Sequence, residues 1–473
     1  MTSLKTNKYS LLPFKFKRVN GIELIVNEVG DYLFAPKGTV KNIIERNISQ
    51  SSVLYKDLLS KYIICEDYNE YLQDIIATRL RTKKAFLDNF TTLHIFVLTI
   101  RCNQKCIYCQ ASSKDKTAAR RDMSLENLEH AIDLMLKTPA KCITMEFQGG
   151  DCSLVPSLVE NAVLLTKKKN ERIGKVIKFV LCTNLILLPD KLISLCKQHN
   201  IFISTSLDGP ELVHDHNRGM NGSYKAFVST LKRLQTELES GMVSPLMTTS
   251  DLSLNYPKEI INTYRALGFN SIFLRPLNPY GRAKKERWDK YNRDYLVFYK
   301  TALEYIISLN LDGIDFREDF TAMVLKKIIT PFPIGFVDLQ SPAGIINSVI
   351  VYNYDGYVYC SDESRMMAEE GDYSFRLGKV DESYIDIFYG KKAQELSRVW
   401  ATEYIAGCSD CAYFQYCGAD PVRNHATQKD LYGFRPSSIF CKFHQDVLDH
   451  LFELIYKRGN ELMPIFRRWV YER

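Results

Sequence analysis

No run of apolar residues in this 473-residue chain approaches the ~20 that a helix needs to cross a bilayer. The opening stretch MTSLKTNKYSLLPF has no apolar core of the secretory kind. A membrane protein and an exported one are thereby set aside, and the expected location is the cytoplasm. There is no long basic run either. The 62 Lys and Arg against 55 Asp and Glu leave a net charge of only +7, so nothing in the charge pattern points to a nucleic-acid partner. Solenoid-type repeats and low-complexity tracts are missing as well. What remains is the composition of an ordinary globular protein, 46% hydrophobic and 25% charged. Its length suits roughly two to four domains.

Cysteine breaks this plainness. Thirteen of them in a chain with no export signal argue for metal binding and free thiols rather than disulfides. Three stand in one short stretch, HIFVLTIRCNQKCIYCQ: Cys102, Cys106 and Cys109 lie in a loop directly after an apolar strand at 94–100. Three thiolates in one loop can hold three corners of a cubane iron–sulfur cluster, and the fourth iron is then open to a small molecule. Zinc sites usually join one CxxC to a second pair of ligands and close at four. No second pair follows here, but zinc or three buried reduced cysteines stay open on spacing alone.

From 91 to about 330, short apolar strands alternate with helical spacing. The strands fall at 94–100, 142–147, 178–183, 201–206, 245–249 and 271–277. The helices fall at 124–137, 156–169, 189–199, 223–239, 256–267 and 294–309. Such alternation means parallel βα units, and six of them make a partial barrel with its chemistry at the C-terminal strand ends. The cysteine loop lies at the first of those ends. Gln148-Gly149-Gly150-Asp151 follows the second strand. There two glycines let the backbone approach a ligand, and a carboxylate can accept from an ammonium. Thr183-Asn184 ends the third, and Ser204 to Pro210 the fourth, with His214, Asp215 and Arg218 beyond it. The planar donor fork of Arg218 suits a carboxylate. His214 and His216 are expected in turn or helix-cap roles rather than as metal ligands.

Before residue 91, GIELIVNEVGDYLFAP reads as two strands around a turn at 28–31, followed by helical patterning in TVKNIIERNI and SSVLYKDLLSKYII. Beyond 331 the pattern breaks into short strands and cysteine-bearing loops, VIVYNYDGYVYC and CSDCAYFQYCGADP, then Cys441. The tail from 444 reads as one or two helices with an aromatic and basic end. Cys65, Cys142, Cys152, Cys182 and Cys196 mostly fall in apolar segments and are expected as buried small hydrophobes, with Cys152, beside Asp151, the exception.

CxxxCxxC with Tyr108 before its last cysteine resembles the signature of radical S-adenosylmethionine (SAM) enzymes. The resemblance implies a [4Fe–4S] cluster on Cys102, Cys106 and Cys109 whose open iron is chelated by the amino and carboxylate groups of SAM. QGGD is similar to that family's GGE motif, with Asp151 where glutamate is commoner. This puts Gly149, Gly150 and Asp151 among the cofactor-binding residues. SLDGP with a downstream HDxxR looks like the SPASM-type maturases, named for a C-terminal auxiliary-cluster domain. The likeness implies Ser206 and Arg218 at the SAM carboxylate, and Tyr108, Thr183 and Asp208 in the same cofactor site. Cys408, Cys411, Cys417 and Cys441 resemble the auxiliary-cluster segment. They supply the full ligand set for one auxiliary [4Fe–4S] cluster. The set for a second is incomplete: Pro421 stands where a cysteine is expected, and Cys360 is left over as a free thiol or partial ligand. A four-cysteine zinc knuckle fits the same spacing. In sulfatase maturases a carboxylate after the equivalent of Cys360 acts as a base, which implies Asp362, with Glu363 beside it, as the catalytic counterpart.

Nearly end to end, the chain resembles the radical SAM/SPASM maturases of the His-Xaa-Ser peptide system. The specific points are LLPFKFKRVNG, VNEVGDYLF, CNQKCIYCQ, FLRPLNPYG, DGYVYCSDESRM and CGADP. The implied fold is α/β: a partial (β/α)6 barrel at 91–330, a small N-terminal α+β domain at 1–90, a SPASM-like iron–sulfur domain at 331–445 and a helical tail at 446–473. The N-terminal domain resembles winged-helix elements that bind a precursor's leader as an added strand, or it only packs on the barrel. The implied activity is reductive cleavage of SAM and hydrogen abstraction from a ribosomally made precursor peptide with His-Xaa-Ser repeats. A low-potential donor such as flavodoxin or ferredoxin would supply the electron. The alternatives are a sulfatase-maturase-like side-chain oxidase and a non-catalytic metal-binding peptide scaffold.

Overall fold

A computed structural model describes residues 9–66, 70–283 and 287–471 of the chain. Near the N-terminus, β1 (Phe14–Val19), β2 (Ile22–Asn27) and β3 (Tyr32–Pro36) form an antiparallel sheet. The first connection is Asn20-Gly21 with both φ angles positive, 49° and 85°, the backbone of a tight two-residue hairpin turn. Three helices follow, α1 (Thr39–Ile44), α2 (Val53–Ser60) and α3 (Glu70–Lys83). Ile25, Val40, Ile43, Tyr55 and Leu58 give this unit a small core of its own.

The barrel strands are β4 (Leu93–Thr99), β5 (Cys142–Gly149), β6 (Val176–Cys182), β7 (Phe202–Ser206) and β8 (Val243–Leu246). They pair in parallel in that order. Helices α4 (Leu125–Leu136), α5 (Pro156–Asn170), α6 (Asp190–His199), α7 (Glu211–Arg218), α8 (Ser223–Glu237) and α9 (Pro257–Ala266) lie between or after them. The α/β partial barrel expected from the sequence is what the chain forms. One strand differs from expectation. Only Ser271–Ile272 (β9) of the sixth run is extended in a ladder, and it pairs in parallel with Arg317–Glu318 (β10) outside the main sheet. The cause is local. Pro276 has no N–H to give a ladder, and the neighbouring amides go to side chains. Leu274 N donates to Glu318 Oε1 at 3.0 Å and Leu277 N to Tyr291 Oη at 2.9 Å.

Long helices α10 (Trp288–Leu311) and α11 (Asp319–Ile329) follow. On the other side of β4 the sheet continues with β11 (Val349–Tyr352), parallel to it, then antiparallel β12 (Tyr357–Tyr359) and β13 (Arg376–Lys379). The eight-stranded sheet thus runs β8-β7-β6-β5-β4-β11-β12-β13. Helix α12 (Asp362–Ala368) begins directly after β12, with Ser361 and Ser364 capping each other across its first turn. Helices α13 (Pro421–Gln428) and α14 (Ile439–Tyr471) complete the chain; α14 bends at Arg458.

The N-terminal sheet packs against α14 and the segment before it. Phe452 on α14 packs edge-on against Tyr32 of β3, ring centres 5.1 Å apart, and Lys17 of β1 pairs with Asp449 at 2.8 Å. Between them Tyr416 Oη donates to Gly30 O and Gln415 Nε2 to Glu28 O, each at 2.8 Å. Among the described residues no helix is long and apolar enough to cross a membrane.

Candidate active site

The cysteine loop leaves β4 and is held from below by the end of β5. Gly150 N donates to Thr99 O at 2.7 Å and Asp151 N to Arg101 O at 2.8 Å. A Cβ at Gly149 would lie 1.9 Å from Thr99 O, and one at Gly150 would lie 2.0 Å from Arg101 O. Gly149 also has φ +131°, which L side chains rarely adopt. The glycine pair is therefore the only residue choice that lets the two strand ends touch, and both glycines line the cavity above.

Asp151 points away from that cavity. Its carboxylate accepts from Ser153 N at 2.8 Å, Asn184 N at 2.9 Å and Thr183 Oγ1 at 3.0 Å. Burial pushes its pKa up despite these donors. The structure uses it to tie the ends of β5 and β6 together. Thr183 and Asn184 are thereby fixed in the wall, with the Asn184 amide 2.7 Å from Asn103 Oδ1 and 3.8 Å from Cys102 Sγ.

Arg218, at the end of α7, is the buried cation of the site. Its Nη2 donates to Asp208 Oδ1 at 2.9 Å, and its Nη1 lies 3.9 Å from Cys106 Sγ. Its Nε is buried with no partner, although the residue lines the cavity. Asp208 is fully buried behind it and does not reach the cavity. It accepts from Tyr108 Oη at 2.7 Å and from Thr248 N at 3.1 Å. One carboxylate therefore orients both the aromatic residue of the cysteine loop and the arginine. Burial works against the Arg218 charge, but Asp208 outweighs it and raises the pKa. Ser206, at the end of β7, lines the same wall. His214 is buried and its pKa falls to about 4, with burial the main cause. Its Nδ1 lies 3.3 Å from Asp208 N and its Nε2 3.1 Å from Ser223 Oγ, so it braces the turn.

These residues form one side of a cavity of about 560 Å³, within the range of small-molecule sites. Cys102, Cys106 and Cys109 open onto it and carry free thiols. They are close enough for Cys106 and Cys109 to help push the Cys102 pKa up to about 12, after burial and Asp151. Two nitrogen donors face the sulfurs, and the unpartnered Arg218 Nε is available to an anionic group. This donor set fits an anionic cluster with a carboxylate-bearing ligand beside it.

The same cavity is also lined by charged residues that were mostly invisible in the sequence, Glu146, Arg275, Asp338, Asp362 and Glu363. Asp362, the expected catalytic carboxylate, is bound to fully buried Arg365, with Nη2 to Oδ1 at 2.7 Å. Its neighbour Glu363 has its pKa raised to about 7, by burial first and then by Asp338 and Asp362. Asp338 rises to about 6, through burial and the charge of Asp420. Glu146 rises through burial as well. No motif marks Asp338 in GFVDLQ or Glu146 in the middle of a strand.

Cys408, Cys411, Cys417 and Cys441 lie outside the lining of this cavity, near enough to one another for their charges to interact. The other three thiols all contribute to raising Cys417, which burial takes to about 12. Cys360 stands apart from them, fully buried, with Glu363 and Asp420 as its charged neighbours. Cys65 and Cys196 are buried as expected, and Cys152, set apart as the exception, is buried as well. Two cysteines are not. Cys142 is exposed, because it opens β5 at the solvent end, and Cys182 faces the cavity at the far end of β6, 3.5 Å from Glu146 Oε1.

The description of the Radical SAM superfamily matches residues 96–274, the span that carries the thiol triad and the strand ends around it. The barrel has the radical SAM fold. The likeness of the chain to solved structures extends beyond that span. Its fold is similar to that of anSMEcpe with bound AdoMet, with a TM-score of 0.63 and 17% identity over 79% of this chain and 100% of that one. It is also similar to Streptococcus suis SuiB bound to precursor peptide SuiA, with a TM-score of 0.52 and 13% identity over 91% and 99% of the two chains. In sequence, a cysteine-type anaerobic sulfatase-maturating enzyme of Clostridium perfringens is 20% identical over 76% of this chain and 96% of its own. Other curated relatives, 29% and 24% identical, are spanned over only 62% and 44% of their length. The match over 96–274, with these likenesses, points to an enzyme, and the superfamily matched there implies a [4Fe–4S] cluster and SAM.

Proposed function

We infer that this enzyme installs a modification on a ribosomally made precursor peptide, and that the thiol triad opening onto one cavity with Arg218 is the observation that carries the reading. When bound to Cys102, Cys106 and Cys109, a reduced cluster supplies the electron that splits SAM into methionine and a 5′-deoxyadenosyl radical able to take hydrogen from the peptide. The chain's own residues then have distinct tasks. Arg218 and Ser206 receive the SAM carboxylate, with Asp208 keeping the guanidinium in place. Gly149 and Gly150 let SAM lie against the backbone, and Asp151 acts at one remove by holding Thr183 and Asn184.

For the proton lost when a substrate radical is oxidised, Glu363 is the better base. Asp362 is committed to Arg365, whereas Glu363 faces the cavity with a pKa of about 7, near the operating pH. Cys408, Cys411, Cys417 and Cys441 would hold one auxiliary [4Fe–4S] cluster. Their convergence supports this, and Cys360 is then a buried thiol beside the acids of the cavity. The N-terminal unit (1–90) is the candidate leader receptor. A groove of about 340 Å³ runs between Leu12, Pro13 and Val29 and the α3 side chains Ile76, Ala77 and Leu80, a shape suited to an extended segment. The units at 91–330, 331–445 and 446–473 are the radical SAM barrel, the auxiliary-cluster domain and a helical tail. The precursor peptide SuiA bound to the structural relative SuiB, and the sequence resemblance to the His-Xaa-Ser maturases, favour a peptide bearing His-Xaa-Ser repeats. A flavodoxin- or ferredoxin-type donor in the cytoplasm would deliver the electron. Oxidation of a protein side chain, as the name of the Clostridium perfringens relative suggests for that protein, is the second reading.

The test is anaerobic. Reconstituted enzyme given SAM and a strong reductant forms 5′-deoxyadenosine, and the Cys106→Ala variant forms none. Mass spectrometry of a co-expressed precursor then shows a fixed mass change. Absence of deoxyadenosine from iron-loaded protein would sink the radical reading; deoxyadenosine without any change in the peptide would sink the substrate.

A further inference from the structure

The thiols Cys408, Cys411, Cys417 and Cys441 are flanked by cations from three separate parts of the chain. Lys17 of β1 acts on Cys411, Lys327 of α11 on Cys417, and Arg435, in the turn between α13 and α14, on Cys408. The two lysines are already engaged. Lys17 is paired with Asp449 at 2.8 Å, and Lys327 Nζ donates to Leu339 O and, at 2.6 Å, to Cys417 O. Two of the sulfurs also accept from the protein: Cys411 Sγ from Tyr413 N at 3.3 Å and Cys441 Sγ from Gln445 Nε2 at 3.2 Å. Cations and donors gathered around four sulfurs suit a centre of net negative charge.

Arg435 differs from the lysines in having a donor left over. Its Nη2 donates to Tyr432 O, but its Nε is buried with no partner. A guanidinium N–H shut away from water without an acceptor is costly, so it marks a place where a bound group completes the bonding.

Packing fixes where that donor stands. A Cβ on Gly407, the residue before Cys408, would lie 2.8 Å from Arg435 Cγ, and Gly407 has φ +75°. The arginine stem therefore runs against the backbone that leads into Cys408, and only glycine leaves room for it. The same short turn, 435–437, leads into α14, where Cys441 N donates to Ser438 Oγ at 3.2 Å. One turn thus ties the first cysteine of the set to the last.

We propose that Arg435 lies against the auxiliary cluster at its Cys408 corner, gives its free Nε–H to cluster sulfur, and sets how readily that cluster takes up an electron. This rests on the auxiliary-cluster reading and adds to it the residue that tunes the cluster. An arginine keeps its charge at any working pH. One added electron makes the centre more negative, so a fixed cation beside it stabilises the reduced form more than the oxidised one and raises the reduction potential.

The experiment is an EPR-monitored redox titration of the iron-loaded enzyme, with dithionite as the one-electron donor, run with S-adenosylhomocysteine bound. That relative of SAM has a thioether in place of the sulfonium and is not cleaved. It alters the signal of the triad cluster and not that of the auxiliary one, which separates the two. In Arg435→Gln the equilibrium constant for reducing the auxiliary cluster is expected to fall about tenfold or more, a shift of about 59 mV to lower potential, with the triad cluster unmoved. Arg435→Lys keeps the charge and should stay within about threefold of the unsubstituted enzyme. An unmoved auxiliary potential in Arg435→Gln overturns the proposal. So does an equal fall in Arg435→Lys, which would make packing rather than charge the cause. Should Arg435→Gln hold iron poorly, unsubstituted enzyme grown on arginine of heavy nitrogen decides: pulsed EPR of the auxiliary signal is expected to show coupling to an arginine nitrogen, and no coupling overturns the proposal. Zinc at these thiols, or iron-loaded protein with no second signal, overturns the auxiliary-cluster reading together with the proposal; a second signal that Arg435→Gln leaves unmoved overturns the proposal alone.

Discussion

Asp208 offers the sharpest test of how the site is held, because nothing about it depends on a bound group. Its carboxylate is fully buried and ion-paired with Arg218, whose side chain is only 7% exposed. Replacing it by asparagine keeps the shape but leaves Arg218 with an unpaired buried charge. Removing one partner of such a pair costs about 3–5 kcal/mol, and the weakened bond from Tyr108 adds to this. The loss should appear locally, in α7 (Glu211–Arg218), rather than as a global unfolding shift in so large a chain. Native-state hydrogen exchange of the α7 amides should therefore speed up by roughly 100-fold or more in Asp208→Asn. In the double variant Asp208→Asn with Arg218→Gln the stranded charge is gone, and the combined cost should fall short of the sum of the single ones by ~2 kcal/mol. Strictly additive costs, or unchanged α7 exchange in Asp208→Asn, would refute the claim that this carboxylate positions the arginine.

Two more outcomes follow from other residues. Gly149→Ala should abolish iron retention by the triad, because its new Cβ would meet Thr99 O at 1.9 Å, whereas Gly459→Ala, with nothing within 4 Å, should load normally; iron per chain measures both. Glu363 gives two opposed pH effects. Its pKa rises from 4.5 to about 7 in the folded protein, so the folded state holds the proton more tightly. Its contribution to stability is full below 4.5 and is lost as pH climbs to about 7. As a base it needs the ionised form, so peptide product should increase through about pH 7, and Glu363→Gln should lower it by ~10²-fold or more while flattening its share of the stability slope.

The barrel and its thiol loop were legible because their signals are short-range. Cysteine spacing survives any packing, and an apolar run followed by glycines marks a strand end wherever the strand goes. The same logic explains what was misjudged. The first strand of the N-terminal sheet hid in FKFKRV, although the Asn20-Gly21 dipeptide after it is a strong hairpin signal. The run at 271–277 has strand composition, yet Pro276 and the side chains of Glu318 and Tyr291 take its backbone out of the ladder. That β11 would extend the barrel sheet beside β4 could not be read from VIVY, since pairing partners are set by the whole topology. The acids of the cavity were hidden for a related reason: Glu146, Asp338 and Glu363 lie far apart in sequence, and only folding brings their charges into one field.

Helix α14 carries a mechanical implication. Its first turn bears the Cys441 thiol, and Gln445 one turn later donates to that sulfur at 3.2 Å while accepting from Lys17 at 3.4 Å. One and two turns further along, Asp449 and Phe452 grip the opening sheet. At about 1.5 Å of rise per residue, this is a rod ~12 Å long from Cys441 to Asp449. Any load placed on the sheet at 14–36 therefore bears, through that lever, on the sulfur at its far end.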